Sequence, residues 1–168
     1  MGTQQILLIV LSVIIVGAAI AVGIQMFNSQ SYSASKSAIA ADAQSYASQI
    51  VQYYKTPESQ GGAGGALLGT GATPLTADEA AKKIANFIGW GSTTTDNDNG
   101  EFKIIVAADD NKVHVLGLSK EDNGTTKPAI MTTITLPQGT IVGTPKDVPR
   151  ATTISGLGVD DFEDEEGE

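Results

Sequence analysis

The chain has no cysteine, which excludes disulfides and thiolate chemistry and leaves the redox compartment undetermined. Histidine is nearly absent too. His114 is the only one, so one copy cannot assemble a histidine-based metal cluster or a Ser-His-Asp triad. Its Val-His-Val setting reads as a strand position, at the surface or half-buried. Aromatic residues are scarce, with one Trp and four Phe in 168 residues. Any globular part is therefore small, with a thin core. The ten Lys and Arg are scattered singly apart from Lys82-Lys83. They form no basic stripe of the kind that phosphate backbones require, which argues against nucleic acid as a partner. Charge of either sign is missing from the N-terminal region, where the first charged side chain is Lys36.

That uncharged region reads MGTQQILLIVLSVIIVGAAIAVGIQMF, and between residues 6 and 24 only Ser12 has a polar side chain. Nineteen such residues rise roughly 28 Å as a helix, close to the hydrocarbon thickness of a bilayer. A secretory signal peptide carries a charged n-region, a shorter apolar stretch and a small-residue cleavage site. Here no Lys or Arg precedes the run, and no helix breaker or clean A-x-A site follows it directly. The helical pattern also continues beyond the run, since 28–54 contains neither Pro nor Gly. Tyr32, Lys36, Ile39, Ala43, Tyr46, Ile50 and Tyr53 recur at spacings of three, four and seven, which is one face of an amphipathic helix. Pro57 and Gly61-Gly62 end it. One helix of roughly 48 residues follows from this, near 70 Å long. Segment 1–27 is apolar all round and segment 28–55 is apolar on one side. A plain single-span anchor with a helical stalk accounts for the same pattern. Gly17, Ala18, Ala19, Ala21 and Gly23 would let helices approach closely.

With these residues in place, the chain resembles the type IV pilins and pseudopilins. Those subunits have a long N-terminal helix, apolar in front and amphipathic behind, followed by a small antiparallel-sheet head. The resemblance spans the architecture of the whole chain, with its motif support in residues 1–27. The family's mature chain begins with Phe or Met after a leader ending in Gly, and its fifth residue is usually Glu. If Met1 is the mature start, Gln5 takes that fifth place and could hydrogen-bond a neighbour's N-terminus without an ion pair. If Gly2 ends a two-residue leader, Thr3 becomes the start and Leu7 the fifth residue. The resemblance implies residence in an inner membrane, then transfer by a pilus assembly machinery into a helical filament of identical subunits. Filament-core positions would be Gln5, Ile6, Leu7 and Leu8, then Val10, Leu11, Ile14 and Ile15, then Ile20, Ile24 and Phe27. Gly17, Ala18 and Gly23 would be points of close approach. The face from Tyr32 through Ile39, Ala43, Tyr46 and Ile50 to Tyr53 would seat the head.

The rest of the chain reads as that head. Residues 56–75 contain GGAGG and GTGATP, a Gly-rich connection without a core-forming pattern. In TADEAAKKIANFIGW, Thr76 with Glu79 three positions on is a capping box. Ala80, Ile84, Phe87 and Ile88 are the apolar face of that short helix, and Gly89 ends it. STTTDNDNGE is a turn-rich loop. Strand-like runs follow at 102–107 and 112–118, joined through Asp109-Asp110-Asn111, then at 129–136 and 140–142. The expected fold class is α+β, with a long helix, a short second helix, and three or four antiparallel strands packed on the long helix. The head covers 76–150, and 151–168 is an extended tail whose last nine residues hold seven acidic side chains. TDNDNGE misses the register of a calcium loop, because Thr95 would be the first ligand. Asn123-Gly124-Thr125 matches a glycosylation acceptor. No catalytic, cofactor-binding or metal-binding residue is nominated. The expected function is a structural subunit of a type IV pilus-like filament on the cell surface. A pseudopilin of a secretion system and a single-span anchored extracytoplasmic binding domain are the alternatives.

Overall fold

The structure, a computed structural model, describes residues 2–69, 74–107 and 111–162. The long helix α1 spans Thr3–Lys55, 53 residues and about 80 Å, somewhat longer than the pattern predicted. It ends where Thr56 turns extended, with its N–H on the carbonyls of Gln52 and Tyr53, just before Pro57 removes the next donor. A single turn of 3₁₀-helix, Glu58–Gln60, follows. The chain then doubles back so tightly that a Cβ on Gly62 would lie 2.1 Å from the Thr56 carbonyl oxygen, so only glycine fits there. The expectation of a loop without core residues is corrected here. Ala63 and Leu67 are buried, and the Ala63 N–H is bonded to the Tyr53 carbonyl.

Helix α2, Ala77–Phe87, starts at the predicted capping box. The Glu79 N–H donates to Thr76 Oγ1, and the Thr76 N–H donates to Glu79 Oε2 at 2.9 Å. Five strands follow: β1 Thr94–Asp96, β2 Gly100–Val106, β3 Lys112–Ser119, β4 Thr126–Thr135 and β5 Thr140–Pro149. They form one antiparallel meander in chain order. The architecture is α+β as expected, with five strands rather than three or four. The extra strand, β1, lies inside the stretch read as a loop. β5 continues well past 142 because, as an edge strand, it tolerates Pro145 and Pro149. Asp109 and Asp110, placed in the β2–β3 turn by the sequence, lie outside the described residues, whereas Asn111 adopts φ 52°.

The sheet has two covered faces. Phe102, Ile104, Val113, Val115, Ile130 and Ile134 point to one side, against Ile39, Ala43, Ala47 and Ile50 of α1 and Ala80 and Ile84 of α2. At Gly100 the sheet is tightly packed, since an added Cβ would meet the Leu118 carbonyl oxygen of β3 at 2.5 Å and Ile39 Cγ2 of α1 at 3.1 Å. Leu116, Leu118, Ala129, Met131 and Val148 point the other way and are covered by Ile154, Leu157 and Phe162. The expectation of an extended tail from 151 is therefore corrected as far as 162: the segment folds over the outer face. Lys103 Nζ fastens it by donating to the carbonyls of Ser155 and Leu157. Residues 163–168 lie outside the described residues. Coverage on both faces explains why β3 is buried from Val113 to Ser119, with an almost unbroken apolar run.

Candidate assembly surface

Every described residue of α1 up to Gln30 is exposed, so 28 helical residues, about 42 Å, project from the head without tertiary cover. Fifteen large apolar side chains lie on this length, from Leu11 at 49% to Phe27 at 72% exposure. The helix is long and apolar enough to cross a membrane. Its one interior hydroxyl, Ser12 Oγ, donates to the Ile9 carbonyl at 2.8 Å, which satisfies it within the helix. Burying a large apolar side chain is worth about 1.5–3 kcal/mol, so covering all fifteen is worth on the order of 20–45 kcal/mol. That exceeds the roughly 5–15 kcal/mol that holds a small domain together.

The residues nominated for a filament core all fall on this bare length. Gln5, Ile6, Leu7, Leu8, Val10, Leu11, Ile14, Ile15, Ala18, Ile20, Ile24 and Phe27 are exposed on different sides of the rod. Beside Gly17 and Gly23 nothing lies within 4 Å of an added Cβ. Gly2 is the extended residue ahead of the helix and Thr3 the first helical one, while Met1 lies outside the described residues.

Beyond Gln30 the helix meets the head in two stages. Its first contacts are polar: Tyr32 Oη with Thr126 Oγ1 at 3.3 Å, Ser35 Oγ with Ser119 Oγ, and Lys36 Nζ with Asp147 Oδ1 at 3.2 Å. Burial, opposed by the Thr126 hydrogen bond and reinforced by Asp147, raises the Tyr32 phenol above its ordinary pKa. The apolar seam follows, with Ile39, Ala43, Ala47, Ile50 and Tyr53 buried and Tyr46 half-buried. Tyr46 sits between Trp90 and Phe102, its ring edge-on to both at 4.8 and 5.1 Å. Ala47 was absent from the predicted face, although it lies four residues after Ala43.

Two charged side chains occur on α1 before Lys55, and both turn toward the head. Lys36 pairs with Asp147, and Asp42 Oδ2 accepts from the side-chain amides of Asn97 at 2.9 Å and Asn99 at 2.8 Å. The TDNDNGE stretch thus clamps the sheet to the helix. Asn97 Oδ1 holds the turn itself by accepting from the N–H groups of Asn99 and Gly100. Nothing in the sequence ties Asp42 to a loop 55 residues away, so periodicity could not find this contact. Among the described residues no three His, Asp or Glu side chains come together as a metal site.

His114, expected at the surface or half-buried, is instead buried on the outer face of β3, the face that the folded-over 151–162 segment covers, with Nδ1 at 3.1 Å from Thr133 Oγ1. Asn123 is exposed in the turn before β4, its Oδ1 accepting from the N–H groups of Thr125 and Thr126. Scans of protein families, curated proteins and solved structures find no match to this chain. The functional reading therefore rests on the geometry.

Proposed function

We propose that this protein is the structural subunit of a type IV pilus-like surface filament, held in the inner membrane by α1 before assembly. One observation carries the reading: 42 Å of uncharged helix with apolar side chains on every side, continuous with a helix that seats a folded head. In a bilayer, such a rod satisfies its backbone internally and meets lipid with its side chains. Outside a bilayer, other copies of the same rod are the natural cover, with Gly17 and Gly23 allowing close approach. Identical subunits joined head to tail by such a surface build an open helical polymer. Gln5, at the start of the rod, would order its neighbour's N-terminus by hydrogen bonding. Adhesion, motility or surface contact would be the filament's work, with the heads outermost.

The test is electron microscopy of material sheared from producing cells, with mass spectrometry of the filament fraction and its N-terminal peptide. This chain as the main component of thin, long filaments is the expected result. Recovery only as short membrane-bound assemblies would replace it with a secretion-system pseudopilin. Recovery only as a detergent-extracted monomer would leave an anchored extracytoplasmic domain.

A further inference from the structure

At the end of the head farthest from the bare helix, the last turn of α1, residues 58–69 and Leu75 of the connection, and α2 line an open cleft of about 580 Å³. That size falls within the range of small-molecule sites, about 300–1,000 Å³. Phe87 lies on its wall at 37% exposure, and among the described residues only Val142 is as exposed a large apolar side chain in the head. The buried side of α2 is made by Ala80, Ala81, Ile84 and Ala85, so Phe87 stands outside the stripe that packs on the core. Its ring is tilted 58° to Tyr53 with centroids 5.1 Å apart. Around this apolar wall stand Glu58, Lys83 and Asn86, all exposed. Burial first and the Glu58 charge second raise the Tyr53 phenol.

We propose that this cleft binds a neutral pyranose sugar, its C–H face against Phe87 and its hydroxyls bonded to Glu58, Lys83 and Asn86. A pyranose has one apolar face and a rim of groups that both donate and accept, which is the pairing of surfaces found here. An anionic ligand fits less well, because Glu58 offsets the single lysine of the lining. Loop N–H groups are also committed, those of Gly61 to Gly65 each donating to a backbone carbonyl. A lipid chain fits less well because the apolar wall is short and Tyr53 lies about 44 Å along α1 from residue 24.

The experiment is saturation-transfer difference NMR on the full chain in zwitterionic, sugar-free detergent micelles. Glucose, galactose, mannose and N-acetylglucosamine are the probes at millimolar concentration. The expected result is transfer to the C–H protons of one ring face for at least one of them, with Phe87→Ala abolishing it. Asn86→Ala and Lys83→Gln, both at exposed positions, should weaken binding at least threefold while leaving the unfolding temperature unchanged. Undiminished transfer in Asn86→Ala and Phe87→Ala, or none from any sugar, overturns the proposal. So does tenfold tighter binding of glucuronate or of a short apolar peptide. The site does not depend on polymerisation, so its failure and that of the filament reading are separable.

Discussion

Single residues decide how closely α1 and the sheet approach each other. Gly100 has no room for a Cβ beside β3 and Ile39 of α1, and Gly100→Ala must force the Leu118 carbonyl aside and press on Ile39. Overpacking of this kind costs about 1–3 kcal/mol, readable as a lower denaturation midpoint for the full chain in micelles. Ile39 has no exposed surface. Ile39→Ala therefore loses both transfer energy and packing, and is expected to cost about 2–5 kcal/mol in the same assay. Asp42 is partly exposed and Lys36 forms a surface pair, so their interactions contribute less, roughly 1 kcal/mol or below each. Their importance is directional: they turn the only charges on the first fifty residues of the helix into the head.

Among the elements, α2 supplies a prediction with a pH dependence. Hydrogen bonds from the Thr76 backbone first, and from its hydroxyl second, lower the Glu79 carboxyl pKa. A carboxylate with a depressed folded-state pKa adds stability above its unfolded pKa and loses it as pH falls through the folded value. Thermal unfolding of wild type and Glu79→Ala should therefore differ at neutral pH and converge in acid; a gap that persists in acid would count against the capping role. Thr76→Ala, which removes the N-cap oxygen, should cost about 1 kcal/mol at neutral pH. The elements also differ in how far the sequence disclosed them. α1 was legible because its apolar run is uncharged, no proline interrupts it and an amphipathic face continues the run, and α2 because its cap and apolar spacing agree. β2 and β3 were legible from their apolar runs. β1 was hidden by its turn-forming neighbours, and most of β5 by prolines that only an edge position permits. The cover made by Ile154, Leu157 and Phe162 has no period of its own, since those side chains lie among Gly, Asp and turn residues. Its partners are fixed by the far side of the sheet, a fact no local window contains. The bare helix could be read in advance, whereas the distal cleft depends on a loop that looked structureless.

At the scale of the whole molecule, the proposed membrane insertion and assembly would make different demands on the same surface. A lysine at the centre of a membrane span costs about 3 kcal/mol, while each Leu, Ile, Val or Phe there contributes roughly −0.3 to −0.6 kcal/mol. With fifteen large apolar side chains on the rod, Ile14→Lys should still insert, as alkaline extraction of membranes would register. In the proposed filament core that ammonium would have neither lipid headgroups nor water, so the same variant should be missing from sheared filaments. Equal recovery of Ile14→Lys and wild type in that fraction would remove the rod from the filament core. The absence of charge on the rod also has an electrical consequence. Displacing one elementary charge through a membrane potential involves about 2.3 kcal/mol per 100 mV, and the projecting side chains carry no such charge. Sliding this helix along the membrane normal would therefore involve no side-chain electrical work, leaving only the charge at the helix ends to feel the potential.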